Sequence, residues 1–134
     1  MKKLLALTAF FLIPFLGFSQ GKIKPENALE SYLTNGDTNY AWEIKDSASL
    51  GSTKAYQVLL TSQKWRGIMW RHQLTIIVPS TVQYDGALLF ITGGSNKDEQ
   101  PNWSKEDKLW PILNAIASKN KAVVALIKQV PNQP

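Results

Sequence analysis

Two short, uninterrupted apolar runs constrain the fold of this chain most strongly. They are Ala87–Ile91 (ALLFI), followed by Gly93 and Gly94, and Ala122–Ile127 (AVVALI), followed by Pro131. Runs of this length without polar alternation are typical of strands that are buried on both faces, as in a parallel sheet. We therefore expect two parallel strands in the interior of an α/β fold.

A helical pattern lies between the two runs. Ser104 resembles a helix N-cap, because an acidic residue, Asp107, follows three positions later. Five apolar residues then recur at spacings of three and four, which is one face of a helix: Leu109, Ile112, Leu113, Ile116 and Ala117. Pro111 cannot donate a hydrogen bond to the Asp107 carbonyl, so we expect either a kink or a new helix that begins at Pro111. Strand, helix and strand together predict a right-handed crossover.

The region before the first run has a different periodicity. Tyr40, Trp42 and Ile44 alternate with other residues, as they do in a half-buried strand. Further strands are predicted over Ala55–Ser62 and Arg71–Val78, and short links join the three. This arrangement favours an antiparallel meander.

The predicted elements leave the sheet incompletely covered. Strands that are buried on both faces need helices on both sides of the sheet. The sequence predicts only the crossover helix and a short helix over Pro25–Leu33, in which Pro25 suits the first helical position. A bare apolar side is an aggregation liability, so we expect the N-terminal part of a longer α/β protein. The alternative is a small complete domain that dimerises through the bare side.

Residues 1–19 have the order of a secretory signal peptide. Two lysines precede an apolar stretch over Leu4–Phe18, and small residues at 17 and 19 precede Gln20. An uncleaved membrane anchor is the alternative, but the stretch of about 15 residues is short of the roughly 20 that span a bilayer. We expect a signal peptide over 1–19, a domain over 20–134, a periplasmic or secreted location, and no stable membrane anchor after cleavage.

Composition excludes several classes of function. The 134 residues include no cysteine and one histidine, His72, so neither a disulfide framework nor a site with two histidines is available. The net charge of +5 includes Lys2 and Lys3 of the predicted signal peptide, and the other basic residues are scattered. We therefore expect no nucleic acid partner.

The most informative local motif is the glycine loop, Gly93–Asn96 (GGSN). Glycines after a strand allow the backbone to approach a ligand, and in α/β-hydrolases an N–H from such a loop forms half of the oxyanion hole. A plain turn is the alternative. No Gly-Lys-Ser/Thr follows, and the third glycine of a dinucleotide fingerprint is missing, so we expect no cofactor. The candidate site residues are Gly93, Gly94, Ser95 and Asn96.

Elimination leaves no catalytic set in this chain. No Gly-x-Ser-x-Gly is present, and His72 lies in the middle of a predicted strand, where we interpret it as a core residue. Asp98-Glu99 and Glu106-Asp107 are acidic pairs, which we interpret as solvated residues and not as metal ligands. Trp65, Arg66 and Trp70 form a cluster that either stacks a sugar or aromatic ligand or packs on the meander.

Three stretches together resemble the PhoPQ-activated pathogenicity-related protein family, a group that the autocrine proliferation repressor proteins also resemble. They are LLTSQKWRGIMWRHQLTIIVP, ALLFITGGSN and AVVALIKQVPNQP. The most specific parts are Q-x-W-R-G at Gln63–Gly67, GGSN at Gly93–Asn96, and the VPNQP ending, within a likeness that runs from about Leu29 to Pro134.

The resemblance implies an α/β-hydrolase-like fold in an exported protein several times longer than this chain. It implies a nucleophile elbow beyond the strand that ends near Gln129. Of the functional parts of such a fold, it places only the oxyanion-side loop in this chain, at the glycine loop. We therefore expect a hydrolase-like protein for a small-molecule or peptide substrate, inactive in the portion given. The alternatives are a non-catalytic exported binding or signalling protein on the same fold, and a small complete binding domain that uses its Trp/Arg surface.

Overall fold

The computed structural model describes residues 23–103 and 107–131, and its contacts divide the chain into a unit that ends at Asn35 and a unit that begins at Gly36. In the first unit, a 3₁₀ turn over Pro25–Asn27 leads into helix α1, Ala28–Leu33. The helix predicted over this region is confirmed, with its first turn in 3₁₀ geometry. The predicted signal peptide lies outside the described residues.

The second unit contains seven strands and one helix among its described residues. In chain order they are β1 (Ala41–Leu50), β2 (Thr53–Trp65), β3 (Ile68–Pro79), β4 (Ala87–Ile91), β5 (Asn96–Lys97), β6 (Gln100–Pro101), helix α2 (Trp110–Asn120) and β7 (Val123–Ile127). Five strands form one sheet in the order β1-β2-β3-β7-β4, and β5 and β6 form a separate two-stranded ribbon.

Strands β1, β2 and β3 form the predicted antiparallel meander. The strands are longer than their alternation predicts, because most of Trp65–Trp70, which lies between the two predicted strands, is itself strand. The link is reduced to Arg66 and Gly67, whose φ angles of 51° and 83° are both positive. Two central residues with positive φ match the twist of an antiparallel hairpin. One extra residue, Ser62, forms a bulge in β2 where the register with β3 shifts.

Strands β4 and β7 are parallel and are connected through α2, as predicted. Strand β7 also pairs with β3, and this pairing is antiparallel. The sheet is therefore mixed, and the architecture is mixed α/β.

Helix α2 covers one side of the sheet. It begins at Trp110 with Pro111 in its first turn, so the second alternative, a new helix at Pro111, is confirmed. Proline suits this position because the first N–H groups of a helix have no partner within the helix. The proposed cap Ser104 lies outside the described residues. The buried core joins helix and sheet: Ala55, Ile77, Leu113, Ala117, Val124 and Leu126.

The opposite side of the meander is an open apolar surface. It forms a groove of about 560 Å³ that nine side chains line: Tyr40, Trp42, Ile44, Tyr56, Val58, Leu60, Leu74, Ile76 and Val78. No helix within residues 36–103 and 107–131 packs there, since α2 contacts the other side. The bare side that the sequence predicts is present in this unit.

The expectation that β4 is buried on both faces is wrong for the described structure. Leu88, Leu89 and Ile91 are 46%, 52% and 61% exposed. The reason is topological, because β4 lies at one end of the sheet and pairs only with β7. An apolar run identifies a strand that can be buried, but it does not supply the elements that cover it.

Candidate functional site

The glycine loop lies where the two parallel strands end side by side. Beyond the strands, the chain segments remain joined, since Thr92 N–H donates to Ile127 O at 2.9 Å and Val130 N–H donates to Thr92 O at 3.1 Å. Gln129 N–H donates to Gly93 O at 3.2 Å. The carboxyl ends of parallel strands are where open α/β sheets bind their ligands. We call residues Lys128–Val130 the exit segment.

Position 94 requires glycine on geometric grounds. Its φ is 155°, and a Cβ there would lie 3.0 Å from Gln129 Nε2, 3.2 Å from Gln129 Cγ and 3.2 Å from Gln129 N. A Cβ on Gly93 would meet no atom within 4 Å. The close approach of the loop to Gln129 therefore depends on Gly94 alone of the pair.

The N–H groups of the glycine pair are available. Within residues 23–103 and 107–131, neither Gly93 N–H nor Gly94 N–H donates to a partner, and both residues are exposed. Adjacent unpaired N–H groups are the donors from which oxyanion holes are built. The arrangement can therefore supply hydrogen bonds to an anionic or carbonyl oxygen.

Ser95 and Asn96 have structural partners. Ser95 O accepts from Asn102 N–H at 3.0 Å, and Ser95 Oγ accepts from Asn102 Nδ2 at 2.7 Å. Asn96 begins β5, and its Nδ2 donates to Arg71 O at 3.5 Å. The buried Asn96 Oδ1 has no partner among the described residues. These contacts anchor the second half of the glycine loop to the β5–β6 ribbon and to β3.

The β5–β6 ribbon was not predicted from the sequence. Its turn consists of Asp98 and Glu99, whose φ angles are both positive, at 51° and 59°. Arg71 Nη1 donates to Glu99 O at 3.3 Å and lies 3.7 Å from the Glu99 carboxylate. The glycine pair therefore leads into a short ribbon and not directly into a helix. The acidic residue Glu99 forms an ion pair with Arg71, and Asp98 forms part of the turn.

Gln129 is the residue that the sequence interpretation missed. It is 1% exposed, although a glutamine that follows a strand is ordinarily solvated. Its Oε1 accepts from Gln73 N–H at 2.8 Å, and its own φ is 59°. Lys128 N–H donates to Gln73 O at 3.0 Å. The backbone of Gln129 turns away from β3, and its side chain adds one further hydrogen bond to the β3–β7 ladder.

His72 is buried next to the exit segment, in agreement with its interpretation as a core residue. It is 4% exposed. Its Nδ1 lies 3.1 Å from both Lys128 O and Gln129 O, and its Nε2 lies 2.9 Å from Ser62 Oγ. Burial lowers the pKa of His72 below its usual 6.5, and the two carbonyl hydrogen bonds oppose that shift only in part. The neutral form of His72 is therefore favoured at pH 7.

The first residue of the exit segment, Lys128, forms an ion pair with Asp107. Lys128 Nζ lies 2.9 Å from Asp107 Oδ2, and the two side chains are 19% and 8% exposed. Asp107 Oδ1 also accepts from Leu109 N–H at 2.9 Å, just before α2. Burial raises the pKa of Asp107, but the Leu109 hydrogen bond and the Lys128 ammonium outweigh it, and the pKa lies below its usual 3.8.

The Trp/Arg cluster stands at the tip of the β2–β3 hairpin. The rings of Trp65 and Trp70 meet edge to face with centroids 5.6 Å apart, and the Arg66 guanidinium lies 4.5 Å from the Trp65 ring centroid. The two tryptophans therefore pack on each other across the hairpin. Trp65 remains 42% exposed.

No three His, Asp or Glu side chains among residues 23–103 and 107–131 are grouped so that they could hold a metal ion. No helix in the same ranges is long and apolar enough to cross a membrane.

Comparison with known proteins identifies the family. The family model for PhoPQ-activated pathogenicity-related protein matches residues 29–134, so the chain belongs to this family. It is similar to autocrine proliferation repressor protein A of Dictyostelium discoideum, with 27% identity over 111 residues. The alignment covers 79% of this chain and 22% of that relative, so the chain spans about a fifth of the relative's length. No solved structure matches.

Proposed function

We propose that this chain is the N-terminal portion of an exported, hydrolase-like protein in which the glycine loop supplies oxyanion-side hydrogen-bond donors. One observation carries the proposal. Gly93 and Gly94 are exposed residues at the carboxyl end of a parallel strand, their N–H groups have no partner among the described residues, and the packing of Gly94 on Gln129 fixes the loop there. Donors held in place before reaction are the main source of transition-state stabilisation in acyl transfer.

The two edges of the sheet support a longer protein. Edge strand β1 carries Glu43 and Lys45, which pair at 2.6 Å, and its register shifts after Ile44. Charges and bulges of this kind discourage pairing with another strand. Edge strand β4 is uncharged, and its side chains Leu88, Leu89 and Ile91 are about half exposed. We propose that in the longer protein a further strand pairs with β4 and further helices cover the open apolar side.

The proposed export rests on residues 1–19. Their charged, apolar and small-residue order is that of a cleaved signal peptide, with Gln20 as the first mature residue. Mass spectrometry of the N-terminus from the periplasmic or secreted fraction tests this. A chain that still begins at Met1 in that fraction would refute the export proposal.

The residues that the structure describes, 23–103 and 107–131, do not form a complete catalytic set. Ser95 Oγ is bonded to Asn102, whereas the imidazole of His72 is bonded to Ser62 and to two backbone carbonyls. A serine nucleophile needs its base within hydrogen-bond reach and an accessible site for substrate. We therefore propose that this chain alone does not hydrolyse esters. Turnover of a generic ester that is lost in Ser95→Ala or Ser62→Ala would overturn this.

The experiment that tests the loop uses the longer protein with a generic ester or peptide substrate. Gly94→Val and Gly93→Val are compared, and activity is normalised to the folded fraction. Loss of an oxyanion donor typically lowers turnover by roughly 10²–10³. A loss of this size per folded molecule in at least one variant supports the proposal. Full activity per folded molecule in both variants would reduce the loop to a turn.

A second candidate is a non-catalytic signalling protein on the same fold. It is favoured by the name of the matched relative, an autocrine proliferation repressor. The longer sequence separates the two candidates. A serine elbow with a later acid and histidine supports the hydrolase, and the same fold without these residues supports the signalling protein.

A further inference from the structure

We infer that Gln129 is the positioning residue for the glycine loop, and that His72, in the tautomer with the proton on Nδ1, holds Gln129 in place. The inference rests on the proposed function only in one respect, the role of the glycine loop as a source of oxyanion-side donors. The positioning itself is a statement about contacts that can be tested in this chain without any activity.

Gln129 connects the loop to the sheet through both its backbone and its side chain. Its N–H donates to Gly93 O at 3.2 Å, and its side chain fills the space that a Cβ on Gly94 would need. On the other side, its Oε1 accepts from Gln73 N–H at 2.8 Å in the middle of the sheet. A single buried side chain therefore contacts both β3 and the glycine loop, and it fixes the position of the loop relative to β3.

His72 fixes the backbone turn that makes this possible. Gln129 has a φ of 59°, a region that non-glycine residues rarely adopt, and such a conformation persists only where its surroundings hold it. The carbonyls of Lys128 and Gln129 both point at His72 Nδ1, each at 3.1 Å. One donor therefore bridges both carbonyls of the turn.

The contacts also determine the tautomer of His72. Backbone carbonyls only accept hydrogen bonds, so Nδ1 must carry the proton, and the neutral ring then accepts from Ser62 Oγ–H through Nε2. Ser62 is the bulge residue of β2, and the bulge places its hydroxyl opposite the histidine of the next strand. The one charged side chain of the exit segment is engaged elsewhere, since Lys128 Nζ pairs with Asp107.

The test is heteronuclear NMR of the full chain. Long-range ¹H–¹⁵N spectra of the His72 ring should show a protonated Nδ1 and an unprotonated Nε2 at neutral pH. Amide exchange is measured at Gln129 and Val130, whose N–H groups donate to Gly93 O and Thr92 O. An amide of the β2–β3 ladder, such as that of Leu74, reports global opening.

Three variants separate positioning from general stability. Gln129→Met keeps the side-chain volume but removes the acceptor, and we expect exchange at Gln129 and Val130 to accelerate about tenfold, with displaced Gly93 and Gly94 cross-peaks. His72→Phe should have the same effect. His72→Asn, whose amide can donate from a position near that of Nδ1, should restore most of the protection.

Ser62→Ala is the matched control, because it removes only the Nε2 partner and should change loop exchange by less than about twofold. Protection that is unchanged in Gln129→Met while the Leu74 amide stays protected would overturn the inference, as would a ring protonated on Nε2 only. If a variant unfolds, the tautomer measurement on the parent chain still tests the inference, because a ring protonated on Nε2 only would overturn it. An inactive longer protein with an intact network would refute the proposed function and leave this inference standing.

Discussion

The close packing of Gly94 on Gln129 makes a quantitative prediction about two adjacent glycines. Gly94→Ala places a Cβ at a φ of 155° and at 3.0–3.2 Å from three atoms of Gln129, whereas the same change at Gly93 meets no atom within 4 Å. Backbone strain of this kind costs about 1–3 kcal/mol, and overpacking costs about 1–3 kcal/mol more. We expect Gly94→Ala to lower the free energy of unfolding by about 2–6 kcal/mol.

Gly93→Ala is the matched control, and we expect it to change stability by about 0.5 kcal/mol or less. The assay is urea unfolding of the full chain followed by tryptophan fluorescence, with equal m-values required for the comparison. Adding Gln129→Ala should recover part of the Gly94→Ala loss, because two of the three close atoms belong to the Gln129 side chain. Equal losses at positions 93 and 94 would refute the reasoning.

The remaining predictions concern three buried polar groups. Thr75 Oγ1 is buried without a partner among the described residues, so Thr75→Val should raise the free energy of unfolding by about 1 kcal/mol in urea unfolding, and a loss of that size would contradict it. Because burial lowers the pKa of His72, the unfolded chain binds the proton more tightly, and stability should fall as the pH drops below 6.5 and level off below the folded pKa. Unfolding curves from pH 8 to pH 5 test this, and His72→Asn should remove the dependence. Asp107→Asn leaves Lys128 unpaired at 19% exposure and should cost about 1–3 kcal/mol at pH 7. Since the pKa of Asp107 is lowered, the difference between the two proteins should shrink as the pH falls below 3.8, and a constant difference would contradict the ion pair.

Local patterns in the sequence predict the elements that local physics determines. Alternation identifies the meander, uninterrupted apolar runs identify the parallel pair, and Pro111 marks the start of α2. Each signal depends on residues that lie close together in the chain. The exposed edge of β4 does not follow from its composition, because strand order is decided by pairings between distant segments, such as that of β3 with β7.

The environment of the glycine loop was only partly predictable. The loop itself has a sequence signal in its two glycines, and of these Gly94 adopts a positive φ. The β5–β6 turn has none, because Asp98 and Glu99 adopt positive φ without a glycine. Gln129 gives no signal, since its burial depends on one backbone N–H of β3 that lies 56 positions away in the sequence.

Covalent labelling of the natural protein with a fluorophosphonate serine probe tests the proposed function most directly. The protein is purified from the exported fraction of the cells that make it, and the labelled peptide is mapped by mass spectrometry. We expect a chain that begins at Gln20, extends beyond Pro134, and carries the label on a serine beyond that residue, with labelling slowed in Gly94→Val per folded molecule. A folded protein that takes no label, or takes it on a serine within residues 20–134, would contradict the account.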